Sequence, residues 1–118
     1  MKPVAALSTV IIDSADPAKL AEFYREVTGW EVSYTDDDFT TLGGPGPVQL
    51  GFQRVAGYRG PGWPDDGKHF HLDFQVADLE KAAKALQAMG ATLPDFQPGE
   101  GKWIVLADPE GHVFCLTT

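Results

Sequence analysis

His71 and Asp73 stand two residues apart in the segment His69-Phe70-His71-Leu72-Asp73-Phe74-Gln75-Val76. In an extended strand alternate side chains share a face, so an imidazole and a carboxylate project together. An imidazole titrates near neutral pH and serves as a general base, a hydrogen-bonding group or a metal ligand. The one cysteine, Cys115, lies in Val113-Phe114-Cys115-Leu116. As a thiolate it is a zinc ligand; as a thiol it is a small apolar side chain suited to a core. Nucleophilic use needs an adjoining base and a lowered thiol pKa, and the sequence displays neither. Gln49 and Gln53 flank Gly51 in another apolar segment and point the same way as it. His69 and His112 read as turn or rim positions. Asp108-Pro109-Glu110-Gly111 is a turn, with Pro second and Gly fourth. Asp36-Asp37-Asp38 is a solvated turn, because three like charges in a row want water.

Positioning these groups falls to a pattern that the chain states twice. Val10-Ile11-Ile12-Asp13-Ser14-Ala15-Asp16 is an apolar run ending in Asp, followed by an amphipathic stretch and Gly29. Leu72-Asp73-Phe74-Gln75-Val76-Ala77-Asp78 is another, followed by another amphipathic stretch and Gly90. Asp16 and Asp78 are 62 positions apart, and Phe39-Thr40-Thr41-Leu42 matches Trp103-Ile104-Val105-Leu106 at an offset of 64. A repeat of half the chain length implies two copies of one supersecondary unit, neither able to bury its apolar face alone.

Residues 4–12 read as a strand buried on both faces or nearly so. Asp16 is the N-cap of a helix, with Pro17 at its first position. Leu20, Phe23, Tyr24 and Val27 form the helix's apolar stripe, and Gly29 closes it. Strands follow at 30–34, 39–42 and 48–55. Residues 56–68 are a Gly- and Pro-rich linker without regular pattern. A strand at 69–76 precedes a second helix, capped by Asp78 and running to Met89, with Leu79, Ala82, Ala83 and Leu86 inward. Gly90 ends it, and strands at 91–93, 103–107 and 113–117 complete the copy. Each half is βαβββ. The expected architecture is a single α+β domain over 1–118, made of modules 4–55 and 69–118. The two modules form one cupped, mostly antiparallel sheet with the helices on its convex side.

At 118 residues the two halves suit one shared core better than two separate domains. A net charge of −8 argues against nucleic acid and against anionic membrane surfaces. No apolar run approaches the ~20 residues that span a bilayer, and the N-terminus lacks a secretory h-region. A lone cysteine excludes an internal disulfide, which places the expected setting in the cytoplasm. Small sheets with exposed edges predict a homodimer.

The segments HLDFQVADLEKAAKALQAMGA and WIVLADPEGHVFCL resemble the second module of the vicinal oxygen chelate superfamily, which includes glyoxalase I, extradiol dioxygenases and bleomycin-resistance proteins. VIIDSADPAKLAEFYREVTGW resembles its first module. The resemblance covers residues 5–117. FQRV at 52–55, GWP at 62–64 and GHVFCL at 111–116 resemble the small bacterial glyoxalase-like proteins. It implies two modules enclosing a cup where a divalent metal chelates vicinal oxygens of a substrate. The implied ligand positions are Thr9 and His71 on the first strands, and Gly51 and Cys115 on the last strands. Thr9 is a weak ligand and Gly51 has no side chain, so the implied site is degraded and no stoichiometric metal is expected. If a divalent metal is held, the set is His71, Cys115 and Gln53.

What the cup takes is then an organic small molecule, because a cavity of aromatic walls with a few polar groups is the usual form of such a site. The expected lining is Gln53, Phe52, Trp63, His71, Trp103 and Cys115, with His71 as the catalytic candidate. Trp63 either lines the site as part of a lid or pins the linker to the sheet or to a partner subunit. Two other classes compete with a binding domain. One is a metal-dependent lyase, isomerase or dioxygenase; the other is a ligand-free structural or regulatory dimer.

Overall fold

The computed structural model describes residues 3, 6–64, 67, 68 and 70–118. Residues 4 and 5 of the expected first strand, two linker residues, and His69 lie outside the described residues. The chain divides into two compact units, 1–58 and 59–118, so most of the expected linker belongs to the second.

Unit 1 runs β1 (Thr9–Ser14), α1 (Pro17–Thr28), β2 (Glu31–Thr35), β3 (Phe39–Gly43) and β4 (Gln49–Arg54). Its strands are ordered β1-β4-β3-β2; β1 pairs parallel with β4 and the rest are antiparallel. β1 starts at Thr9, with residues 6–8 of the expected strand outside it, and it alternates: Ile12 and Ser14 are buried while Ile11 and Asp13 are exposed. A strand covered on one face only keeps its other face in water. The helix forms as its sequence dictates. The Asp16 carboxylate accepts the Lys19 N–H at 3.3 Å, and Gly29 turns left-handed at φ 73° to end it. Leu20, Phe23 and Tyr24 are buried, and α1 packs on β3 and β4. Tyr24 stacks on Phe52 with centroids 5.5 Å apart at the centre of this core.

Unit 2 runs β5 (Leu72–Gln75), α2 (Leu79–Ala88), β6 (Ile104–Ala107) and β7 (Val113–Thr117). Its order is β5-β7-β6, with β5 and β7 parallel and β6 and β7 antiparallel. The Asp78 carboxylate accepts the Lys81 N–H at 3.1 Å, and Ala83 and Leu86 face inward. The expected strand at 91–93 is reduced to one antiparallel bridge, Thr92 with Ala107. The described strands form two mixed sheets and not one continuous sheet. Each repeat completes its own ladder by laying its first strand beside its last.

Candidate functional site

The parallel register of β5 and β7 sets Asp73 directly across from Cys115. His71 lies just before β5 and two residues from Asp73, so the extended backbone brings it to the same face. His71 Nε2 is 3.1 Å from Asp73 Oδ1. One donor atom from each of His71, Asp73 and Cys115 can be chosen so that all three lie within 4.8 Å of one another. His71 and Asp73 are exposed; Cys115, on a strand whose neighbours Phe114 and Leu116 are fully buried, is 8% exposed. Burial pushes the Cys115 thiol up, the Asp73 carboxylate pushes it further, and Lys68 opposes them. The net push is away from the thiolate that nucleophilic use needs.

These three side chains line a cavity of about 420 Å³. Trp63, Trp103, Val105 and Val113 form its apolar walls, and Lys68 and Lys102 supply cations. Trp63 both lines the cavity and pins the linker. Its ring packs against Val105, Val113 and Cys115, and its Nε1 donates to the Phe96 carbonyl at 3.0 Å. Lys68 Nζ stands 5.8 Å from the Trp63 ring centroid, a cation–π distance. Upstream, the Gly60 N–H donates to the Glu110 carbonyl at 3.0 Å. A Cβ on Gly60 would sit 2.4 Å from that same oxygen, so only glycine permits the contact. The wall bearing Trp103 is tied down by Gln97, whose amide bonds to both backbone polar groups of Val105 at 2.8 Å.

Four of the expected lining residues, Trp63, His71, Trp103 and Cys115, therefore meet in one cavity of unit 2. The other two lie in unit 1. Phe52 is 0% exposed and stacked on Tyr24, so it is a core residue and not a lining one. Gln53 is exposed on β4, opposite Phe39 and Asp13. Among the His, Cys, Asp and Glu side chains of the described residues, the donor that joins His71 and Cys115 is Asp73, which the expected set of His71, Cys115 and Gln53 did not include.

The implied metal positions of unit 1 do not supply a side-chain ligand suited to a metal. At Gly51 the space that a side chain would enter is taken by the Phe39 ring and Ile11, at 3.1 to 3.3 Å from an added Cβ. Thr9 pairs with Gln49 and brings only a hydroxyl. Unit 2 presents a nitrogen, an oxygen and a sulfur donor together, a set suited to zinc more than to manganese or magnesium.

A repeated strand–helix–strand unit that closes its first strand onto its last defines the class of the glyoxalase and bleomycin-resistance proteins. The chain belongs to the glyoxalase-like domain family, which matches residues 9–117. It is 25% identical to a glyoxalase/bleomycin resistance protein/dioxygenase family enzyme from Burkholderia phytofirmans PsJN, covering 95% of this chain and 97% of that one at TM-score 0.70. Protein ATC0852 from Agrobacterium tumefaciens shares the fold at 17% identity, with 98% of each chain covered and TM-score 0.76. So does a mutant of the fosfomycin resistance protein FosX from Listeria monocytogenes, at 17% identity, TM-score 0.72 and coverage of 98% and 93%. That protein was solved with manganese(II) and 1S,2S-dihydroxypropylphosphonic acid. Over 72 residues the chain is 35% identical to "Putative glyoxylase CFP32" of Mycobacterium tuberculosis. The match takes in 58% of this chain and 28% of that one, so the chain spans well under a third of that relative's length. Among the described residues no helix is long and apolar enough to cross a membrane.

Proposed function

We propose that this glyoxalase-like domain binds an organic small molecule in the cavity of unit 2. The observation that carries the reading is the combination of two tryptophan walls with a polar floor in about 420 Å³, the size and make-up of a small-molecule site. Trp63 and Trp103 take the apolar part of the ligand. Lys68 and Lys102 favour a ligand with a negative group. His71 Nε2 stands 3.1 Å from Asp73 Oδ1, which sets an imidazole beside a carboxylate in the cavity, a pairing suited to a general base. The rival, a metal-dependent lyase, isomerase or dioxygenase, is favoured by the convergence of His71, Asp73 and Cys115. In the binding reading the protein is a cytoplasmic homodimer. β2, an edge strand exposed along its length with Val32 and Tyr34 on it, offers a pairing edge. Light scattering giving one chain mass at micromolar concentration would remove the dimer.

The binding reading is tested with a panel of hydroxy acids, keto acids and aromatic carboxylates at about 10 mM. A compound with a Kd near 1 mM stabilises the folded chain by about 1.4 kcal/mol through mass action. That raises the melting temperature by about 5 °C for a chain of this size. The shift, and a matching change in tryptophan fluorescence, are expected to vanish in Trp103→Ala and Lys102→Ala. A panel with no shift, or a shift that survives both substitutions, overturns the reading.

A further inference from the structure

We propose that the cavity of unit 2 selects a planar aromatic carboxylate, with Trp103 taking the ring and Lys102 and Lys68 taking the carboxylate. This ligand class rests on the small-molecule reading above and narrows it from a cavity to a chemistry. It makes the tight turn at 99–102 the element that sets the specificity.

Charge points to the anion. The chain carries 17 acidic side chains against 9 Lys and Arg, yet two lysines and one carboxylate line this cavity. That carboxylate, Asp73, stands beside the His71 imidazole. Arg25 and Arg54 are engaged with carboxylates in unit 1, whereas neither Lys68 nor Lys102 enters an ion pair among the described residues. Cations left without a counter-charge beside an apolar cavity are completed by an anion that enters it. Two ammonium groups and one carboxylate leave a single positive charge in the lining, which matches one carboxylate better than a doubly charged phosphate.

The turn at 99–102 points to the ring. The Lys102 N–H donates to the Gly99 carbonyl at 2.9 Å. The central residues, Glu100 at φ 51° and Gly101 at φ 87°, are both left-handed, the φ pattern of a type I′ turn. Glu100 holds that conformation against the preference of a residue with a Cβ. Gly99 has no room for a Cβ: one added there would run into the Trp103 carbonyl oxygen and lie 2.7 Å from the Trp103 ring. The turn is thus seated against that ring, and it delivers Lys102 and Trp103 together to the lining. Lys68 stands over the Trp63 ring, while Trp103 carries no such cation among the described residues, so Trp103 is the indole left for a flat ring. Stacking favours a planar π-system over a saturated ring on the same skeleton. A cavity of about 420 Å³, toward the small end of ligand sites of roughly 300–1,000 Å³, suits one or two fused rings.

The test uses the full chain, reduced and with chelator present, so that lysines and not a bound metal supply the charge. Naphthoate is titrated beside naphthamide, its neutral counterpart, and decahydronaphthoate, its saturated one. Binding is read by calorimetry and by the indole N–H resonances of the three tryptophans. Naphthoate is expected to bind at least about tenfold tighter than naphthamide and at least about threefold tighter than decahydronaphthoate. The Trp103 resonance is expected to shift, and that of Trp30, which packs on Gly44 in unit 1, to stay in place. Lys102→Ala is expected to weaken naphthoate at least about tenfold and to leave naphthamide unchanged. Lys84→Ala, which removes the same charge from α2, is expected to leave both unchanged. Gly99→Ala displaces the Trp103 ring and is expected to abolish the preference for naphthoate over decahydronaphthoate. Trp103→Leu, which leaves the turn intact, is expected to do the same. Naphthamide or decahydronaphthoate binding as tightly as naphthoate overturns the proposal, as does a Lys102→Ala loss that naphthamide shares. A hydroxy or keto acid of the panel binding where naphthoate does not overturns this ligand class and leaves the cavity reading standing; binding by none of them overturns both.

Discussion

Gln97 does the work of a missing strand at one residue, and its removal has a calculable effect. β6 is an edge of the unit 2 sheet, yet Val105 within it is 1% exposed. The N–H and C=O of Val105 need partners on the side away from β7. Gln97 Oε1 accepts from that N–H at 2.8 Å; its Nε2 donates to the C=O at 2.8 Å and to the Pro94 carbonyl at 2.9 Å. Gln97→Ala leaves two buried backbone groups unmatched. At about 1–3 kcal/mol for each group, with water reaching part of the gap, the loss is about 2–4 kcal/mol. For 118 residues, at about 4 °C per kcal/mol, the melting temperature falls by about 8–15 °C. Differential scanning calorimetry of the full chain measures it. Gln97→Glu separates hydrogen bonding from packing. A carboxylate accepts from Val105 but repels its carbonyl, so the new carboxyl has a raised pKa in the folded chain. Its stabilising bond to that carbonyl is present while it is protonated and is lost as pH rises through the raised value. The deficit of Gln97→Glu relative to the parent is thus smaller at about pH 5 than at about pH 8. A Gln97→Ala protein melting within 2 °C of the parent would refute the strand-substitute argument. So would a Gln97→Glu deficit that does not change with pH.

Gly60→Ala drives a Cβ to 2.4 Å from the Glu110 carbonyl oxygen and 2.5 Å from the Gly111 carbonyl carbon. Both are backbone atoms, so the chain must move, and a loss of about 1–3 kcal/mol is expected by thermal melting. Gly46→Ala, with nothing within 4 Å of an added Cβ, is the control and should be neutral or slightly stabilising. Phe52→Ala should cost about 3–5 kcal/mol in urea unfolding, because the ring is fully buried against Tyr24. The Tyr34 hydroxyl donates to Asp36 Oδ2 at 2.6 Å and, with the Asp38 N–H, holds that carboxyl below its ordinary range. A depressed carboxyl contributes stability above the ordinary carboxylate range, and the contribution fades as pH falls through the lowered value. Tyr34→Phe should move the Asp36 titration upward in a carboxyl-carbon NMR experiment; an unchanged midpoint would contradict the hydrogen bond.

Local chemistry was the legible part of the sequence. Asp16, Pro17 and Gly29 announce α1 because capping needs only neighbouring residues, and Asp78 announces α2 for the same reason. β7 falls at residues 113–117 as read, since a buried strand between two turn signals has little room to shift. Edges were harder. Residues 91–93 have strand composition, but the following loop returns Gln97 to β6 and takes hydrogen bonds that a strand would make. That bond joins positions eight apart through a side chain and leaves no periodic trace. Alternation alone put His71 and Asp73 on one face. Placing Cys115 opposite Asp73 took the register of strands 42 positions apart, which is a tertiary fact. Phe52 was misread because an aromatic beside a cup and an aromatic in a core have the same pattern in sequence.

The two halves show how one backbone yields a filled position and an open one. Phe39 and Trp103 are repeat equivalents, 64 positions apart. In unit 1 the Phe39 ring lies over Gly51 and, with Ile11, occupies the space where a side chain would project. In unit 2 the residue at the matching strand position is Cys115, whose side chain pre-empts that space. Trp103 stands back from it as a cavity wall. At these matching positions the aromatic covers a glycine on the sheet face in unit 1 and borders a cavity beside a cysteine in unit 2, where the Trp103 ring packs against Gly99. A glycine invites the ring down, and the site closes with apolar contacts. In unit 2 the cavity beside Cys115 is lined by His71, Asp73 and two lysines. Restoring a donor at Gly51 alone would not rebuild a second site, because Ile11 and Phe39 already fill the ground that its partners would need.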